Sequence, residues 1–305
     1  MASKAAKKSY IFKKYQKGRK TMPLENMKTM LSKAVNGDYA VGAFNILDYN
    51  STKAVVRAAE ETNAPVIIQT SAMTVIFWDC TAIISWVKEL AGFSKVPIAL
   101  HLDHCKDLGL IEKCIEAGWS SVMIDASSKP FEENLALSKE VVKMARPKDV
   151  TVEAELGAIV GVEDDIHVKE QDAHLADPEQ AIRFCSEVKP DCFAPAIGTA
   201  HGVYKGEPKI AYDRLKEIAA KTSIPIALHG GTGLADDVFK KCISLGCVKV
   251  NISTQLKYAF IDGFVAYHNA HNTQYNPLKV IEAQFKELKG GIVEKMILFG
   301  SAGKA

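Results

Sequence analysis

No apolar run in this chain approaches the roughly 18 residues that a membrane-spanning helix needs, so no transmembrane segment is expected. CxxC pairs are missing as well. The seven cysteines, Cys80, Cys105, Cys114, Cys185, Cys192, Cys242 and Cys247, are odd in number, scattered, and often inside apolar stretches. That pattern fits reduced, buried thiols in a cytoplasmic protein. After residue 21 there is no linker, internal repeat or low-complexity tract. A length of 305 residues does not force two domains, because single α/β units of about 250 residues are common.

Acidic residues are absent from one place in particular. Residues 1–20 hold eight Lys or Arg and no Asp or Glu, so the net charge of +2 leaves −6 for the remainder. The expectation is a basic, disordered arm over 1–21 ahead of one domain over 22–305. An acidic body argues against a nucleic-acid enzyme, although the arm alone could touch polyanions. The arm has no apolar core of the kind a secretory signal needs.

What the chain does contain is alternation. Short apolar, β-branched segments at 39–46, 65–71, 97–103, 120–125, 150–156, 192–197, 224–229 and 248–252 are each followed by an amphipathic stretch. Residues 51–62 place Ala54, Val55, Ala58 and Ala59 on one helical stripe, and the helix over 108–117 closes on Gly118. Eight strands alternating with helices predict an α/β fold, a single TIM (β/α)8 barrel, with an open doubly wound sheet as the alternative. The barrel predicts that functional side chains gather at the C-terminal strand ends. Polar residues do fall there: Asn45, Ser71, Asp103 with His104, Asp125, Glu153 with Glu155, the 198–201 segment, His229 and Asn251.

Three of those ends carry histidine: His104 in HLDHC, His201 in GTAHGVYKG and His229 in ALHGGTG. Barrel closure would converge them on one mouth, and three imidazoles form a typical catalytic zinc set with a position left for water or substrate. Any one of them alone is as compatible with a structural role; the joint placement favours the metal. His101, of the other parity in its strand, reads as a structural neighbour, and His167, His174, His268 and His271 lie in polar loops or helices. Asp103, next to a proposed ligand, must coordinate, orient a ligand or handle protons. A Schiff-base mechanism would need a desolvated lysine at a strand end, and the only candidate, Lys249 in VKVNIS, reads as an ordinary strand residue.

HGGTG follows a strand and opens a helix near Ala235, so its backbone N–H groups make an anion cradle. With Asn251, Ser253 and Thr254 at the next strand end, it matches the phosphate site commonly formed after strands 7 and 8 of a barrel. Asn45, ending the first strand, joins the substrate-binding candidates. The polar stretch 157–177, with Glu163, Asp164 and Asp165, reads either as a solvated loop or as a mobile lid carrying a proton donor, for which Glu163 is the candidate.

The motifs HLDHC, VEAELGAIVGVED, GTAHGVYKG, HGGTG, KVNIST and FGSAGKA, in that order over 22–305, resemble the class II fructose-1,6-bisphosphate and tagatose-1,6-bisphosphate aldolases. The resemblance implies that Asp103 is the catalytic acid/base and that His104, His201 and His229 bind Zn2+. It implies that Gly202, Gly230, Thr232, Asn251, Ser253 and Thr254 surround the C1 phosphate and dihydroxyacetone portion, and that Asp125 and Glu153 support the metal site. A monovalent cation (Na+ or K+) beside the phosphate and a homodimer or homotetramer are further implied. In the retro-aldol step a base takes the C4 hydroxyl proton while an electrophile holds the C2 carbonyl oxygen.

Three departures from the family pattern bear on the substrate assignment and point to a different distal half. Ser253 stands where fructose-bisphosphate enzymes usually carry Asp and tagatose-type enzymes a small residue. Asn276-Pro277-Leu278 replaces an Asp-Pro-Arg motif whose arginine reaches the distal phosphate in a neighbouring subunit, and losing a planar bidentate donor is not conservative. The stretch 71–79, which reads as a loop, carries Ala72, Met73, Phe77 and Trp78 where relatives favour small residues and glycine. Lys279 or Lys205 could compensate. The leading expectation is zinc-dependent, reversible cleavage of a phosphorylated ketose, a 1,6-bisphosphate, to dihydroxyacetone phosphate and an aldehyde. The alternatives are a family member for another ketose 1-phosphate (deoxy, inositol-derived or sulfonated) and a non-catalytic metal-binding scaffold whose arm engages RNA or an acidic partner.

Overall fold

The computed structural model describes residues 24–163, 166–168, 174–202, 204 and 206–305, with the backbone alone over 160, 162–163 and 166–168. The expected arm over 1–21, Asp164, Asp165 and Lys205 therefore lie outside the described residues.

Eight parallel strands close into a barrel: β1 (Val41–Asn45), β2 (Val66–Ser71), β3 (Ile98–Cys105), β4 (Ser121–Ile124), β5 (Thr151–Leu156), β8 (Cys192–Pro195), β10 (Ile226–Leu228) and β11 (Cys247–Ile252). The intervening β6 (Val160–Glu163), β7 (Ile166–Val168) and β9 (Ala200–His201) form a small sheet beside the mouth. Helices α1 (Met27–Gly37), α2 (Tyr49–Thr62), α3 (Ala72–Trp78), α4 (Cys80–Ala91), α5 (Leu108–Ala117), α6 (Phe131–Ala145), α7 (Pro178–Val188), α8 (Tyr212–Thr222), α9 (Asp236–Ser244), α10 (Thr254–Ala270) and α11 (Pro277–Leu298) complete the order. The single TIM barrel expected from the alternation is what the chain forms.

Local chemistry explains the starts and stops. Asp48, Ser71, Asp107 and Asp177 accept hydrogen bonds from the first backbone N–H groups of α2, α3, α5 and α7, satisfying donors that have no intrahelical partner. Gly118 ends α5 at φ 89°, where its N–H reaches Cys114 O. Outward strand residues such as Leu100, Leu102, Val122 and Val250 pack against the helices in one large apolar cluster. A second cluster fills the bottom of the barrel: Met27, Met30, Leu31 and Ala34 of α1 close over Val41, Ile67, Ala99, Cys192 and Ala227. Glu25 N donates to Ile98 O and Met27 N to Thr151 Oγ1, both at strand starts, which fixes α1 at the N-terminal end. The other end is left for the site.

Two segments differ from expectation. Residues 72–78 form α3 rather than a loop, because Ser71 caps the turn and Val75 and Ala72 bury against the barrel. The 157–177 stretch is not loop throughout: β6 pairs antiparallel with β7 and parallel with β9, setting Gly161 opposite His201. A Cβ at Gly161 would lie 2.1 Å from His201 O, so only glycine permits this approach.

Candidate active site

Adjacent residues in a regular strand point to opposite faces, yet Asp103 and His104 both enter the mouth. The cause is backbone conformation. His104 sits at φ 46° and the β3–β4 register shifts between Leu102 and Cys105, so the alternation breaks at this residue. A non-glycine residue held there costs on the order of 1–3 kcal/mol, a strain that the surrounding hydrogen bonds must offset.

His104, His201 and His229 are buried, and their nitrogens lie within 4.8 Å of one another. Ring centroids are 4.9 Å apart for His104 and His201, and 4.6 Å for His104 and His229. His104 Nδ1 lies 3.0 Å from Asp125 Oδ2, and His229 Nε2 lies 2.7 Å from Glu153 Oε1. Each carboxylate holds the ring proton on the nitrogen that faces it. The remaining nitrogens, His104 Nε2 and His229 Nδ1, lie 2.8 Å apart and share a proton while His104 is protonated; once that proton is lost they face each other as lone pairs. Two acceptors at that distance repel unless a cation lies between or beside them, so the donor set fits a metal ion such as zinc.

The charges agree. Burial opposes protonation of His104, but Asp103, Asp125 and Glu155 hold its pKa well above the ordinary imidazole value. Burial and the neighbouring histidines hold His201 well below it, and burial lowers His229 as well. Glu155 lies 3.8 Å from His104 Nδ1 and 3.7 Å from His229 Nδ1; burial and Asp125 push its carboxyl well above the usual range. Although burial works to raise Asp125 and Glu153, both are lowered, Asp125 chiefly by His104 and Glu153 chiefly by Lys249.

Beside this cluster, Asp103 is held by three amides. Asn45 Nδ2 and Gln69 Nε2 donate to Oδ2 at 3.0 and 3.2 Å, and Asn251 Nδ2 donates to Oδ1 at 3.2 Å. Gln69 also donates to Asn45 Oδ1 at 2.6 Å. Burial works against the Asp103 carboxylate, yet His104, Lys249 and His229 keep its pKa below the usual value. A buried, ionised carboxylate fixed by donors is a base with a defined direction.

On the β10 and β11 side, Gly230 sits at φ 68°, where a Cβ would lie 2.5 Å from Ala200 O. Tyr204 Oη ties the same two loops, donating to Gly230 O at 2.7 Å and accepting from Ala200 N at 2.9 Å. Gly202 follows His201 at φ 84°. Thr232 Oγ1 accepts from Gln255 N at 3.2 Å, Ser253 stands at the N-cap of α10 with a buried hydroxyl, and Thr254 begins that helix. This helix start has no side-chain cap and can bind an anion.

The structure thus gathers Asn45, Asp103, His104, Asp125, Glu153, His201, His229 and Asn251 into one cluster and sets Gly202, Gly230, Thr232, Ser253 and Thr254 on the neighbouring loops and the start of α10; of Glu163 the backbone ends β6 and the side chain lies outside the described residues. Three participants were missed or misread in sequence. Gln69 interrupts the apolar run VII, the only sign of its inward role. Glu155 stood among the strand ends without a function. Lys249, read as an ordinary strand residue, is fully buried, with its ammonium 3.0 Å from Glu153 Oε2. His101 lies one layer lower, its Nδ1 2.7 Å from Ser121 Oγ; burial and Lys249 push its pKa down to about 3.

Fold and site define a barrel with a fixed, buried carboxylate beside a cluster of three histidines that could hold a metal ion. The model of the family "Fructose-bisphosphate aldolase class-II" matches residues 25–304. A fructose-bisphosphate aldolase of Geobacillus stearothermophilus is 40% identical over 287 residues, covering 93% of this chain and 99% of its own length. One from Helicobacter pylori strain J99 is also 40% identical, over 299 residues, covering 90% and 97%. Among solved structures, the YdjI aldolase of Escherichia coli K12 superposes with a TM-score of 0.83 at 33% identity, covering 93% of this chain and all of that one. The chain belongs to the class II fructose-bisphosphate aldolase family. It is an aldolase, a carbon–carbon lyase catalysing reversible aldol cleavage, in a family that depends on zinc and acts on phosphorylated sugars. No helix among the described residues is long and apolar enough to cross a membrane.

Proposed function

We propose that the chain cleaves a ketose 1,6-bisphosphate of fructose or tagatose type between C3 and C4, giving dihydroxyacetone phosphate and an aldehyde. The observation that carries this reading is the Asp103 carboxylate, fixed by Asn45, Gln69 and Asn251 against the three-histidine cluster. His104, His201 and His229 hold the zinc, with Asp125 and Glu153 orienting two of the imidazoles. When bound, zinc supplies an electrophile for the C2 carbonyl oxygen. Asp103 takes the C4 hydroxyl proton; the C3–C4 bond breaks, its electron pair stays with C3, and the aldehyde departs. Glu163 returns a proton to C3 from the stretch beside His201. Gly202, Gly230, Thr232, Asn251, Ser253 and Thr254 receive the C1 phosphate and dihydroxyacetone portion, with a monovalent cation, Na+ or K+, beside the phosphate. The protein works in the cytoplasm as a homodimer or homotetramer, with residues 1–21 as a basic arm outside the barrel.

A second reading, a ketose 1-phosphate with a different distal group, is favoured by Leu278 and Ser253, which remove two charged groups of the fructose-bisphosphate pattern. The experiment is cleavage of fructose 1,6-bisphosphate, tagatose 1,6-bisphosphate and fructose 1-phosphate, with chelator and with zinc restored. Zinc-restorable cleavage of a bisphosphate supports the first reading. Bound zinc with cleavage of neither bisphosphate rejects it in favour of the second.

A further inference from the structure

One charged side chain beneath the mouth touches both halves of the site. Lys249 lies on β11 between two valines, turned into the barrel and fully buried. Its ammonium is 2.6 Å from Asn251 Oδ1, 3.0 Å from Glu153 Oε2 and 3.3 Å from Glu153 Oε1. Asn251 in turn donates to Asp103 Oδ1 at 3.2 Å, and Glu153 Oε1 meets His229 Nε2 at 2.7 Å.

An ammonium has donors and no acceptor. Opposite it, the Asn251 amide must present its oxygen, which leaves its NH2 group facing Asp103. The reverse orientation would set two donors together at Lys249 and two acceptors together at Asp103. The contacts to Glu153 likewise fix the plane of that carboxylate, so that Oε1 meets the Nε2–H of His229 and Nδ1 of the same ring faces His104. We infer that Lys249 is a positioning residue, setting the direction of Asp103 through Asn251 and the tautomer of His229 through Glu153. It carries no Schiff base and touches no reacting atom. The competing account makes Lys249 a mere counter-charge for Glu153 in the barrel core.

The turnover arm of the test rests on the proposed ketose-bisphosphate cleavage with Asp103 as base; the zinc arm does not. Three variants are compared: Lys249→Met, Glu153→Gln, and the double variant carrying both. The double variant is included because Lys249→Met alone leaves a buried carboxylate uncompensated, whereas removing both charges together is tolerated far better. Folding is checked by thermal melts and turnover is read at saturating zinc. Lys249→Met is expected to lose about 100-fold in kcat relative to wild type, and the double variant about 100-fold relative to Glu153→Gln, with KM changed by less than about threefold in each comparison, as misdirection of a general base would produce. Lys249→Met should also weaken zinc binding by about tenfold in competition with a chromophoric chelator, the size of effect seen when the support of a metal ligand is removed. If Lys249→Met does not fold, the double variant is read against Glu153→Gln. A double variant with kcat within about threefold of Glu153→Gln would show that the lysine only balances charge. Zinc affinity unchanged within about twofold in folded Lys249→Met overturns the link to His229, and that arm stays readable if neither bisphosphate is cleaved.

Discussion

From β3 round to β11 the mouth of the barrel is lined by buried polar side chains that hold one another, whereas the stretch after β2 presents apolar side chains to water. Asp103 has three amide donors, and His104 and His229 each have a carboxylate partner. On α3, by contrast, Phe77 is 76% and Ile76 75% exposed, and the aromatic run continues from Phe77 through Trp78 to Trp86 at ring separations of 4.8 and 5.4 Å. In the first region each side chain is over-determined, so one substitution disturbs several groups. In the second, neighbours are few and change is cheap. Substitutions in the buried half are therefore costly, whereas α3 can change with little effect on the groups that hold Asp103 and the histidines.

The largest effect should come from the over-determined half. Asp103→Ala removes the base and leaves three amide groups without their acceptor, each such loss costing about 1–3 kcal/mol if unrelieved. Turnover is expected to fall by about 10²- to 10⁴-fold while zinc stays bound, because Asp103 is not among the three facing nitrogens. Steady-state rates with metal content measured on the same sample check this; near-normal turnover with zinc in place would remove Asp103 from its role.

The two halves were unequally legible in the sequence. The barrel could be read because short apolar strands alternate with amphipathic helices, several of them opened by Asp or Ser caps and one closed by Gly118. His104, His201, His229 and Asp103 could be read because the fold sends strand ends to one place. Lys249 could not be read. Its burial is stabilised by Glu153, 96 positions away, and nothing local in VKVNIS signals that partner. The shared inward direction of Asp103 and His104 was hidden for a related reason: a left-handed residue inside a strand is imposed by tertiary contacts, and the modest enrichment of histidine at positive φ is too weak a local signal to reveal it. Residues 72–78 read as a loop because seven residues are too few to show a helical period, and the cap at Ser71 is the one local signal of the helix.

A smaller effect tests whether the histidines act as a linked set. With its pKa held well above the ordinary value, His104 carries a proton at neutral pH before zinc binds, whereas His201 and His229, both lowered, are already neutral. Zinc therefore displaces one proton, from His104. Its apparent affinity should rise by about tenfold per pH unit through neutrality and level off once pH exceeds the pKa of His104 in the zinc-free protein. Calorimetry in buffers of different ionisation enthalpy reads the proton count directly. Asp125→Asn, which removes the carboxylate 3.0 Å from Nδ1, should make the slope shallower; an unchanged slope would place the displaced proton elsewhere.

The smallest effect belongs to the exposed rim. Phe77→Ser deletes an aromatic ring that is mostly in water, so the melting temperature should barely move, with a change in stability within about 0.5 kcal/mol. Trp78 stays in place in this variant, because its indole N–H donates to Leu47 O at 2.8 Å and its ring packs edge-on against Trp86. The proton transfer at Asp103 is untouched, so kcat should hold within about twofold for every sugar that is cleaved. What should change, by a few-fold and on the order of 1 kcal/mol, is the ratio of kcat/KM between sugars that differ only beyond C4. Comparing that ratio in wild type and Phe77→Ser sharpens the division between the two halves: a shift places distal selection on α3, whereas an equal change for every sugar would confine selection to the buried half.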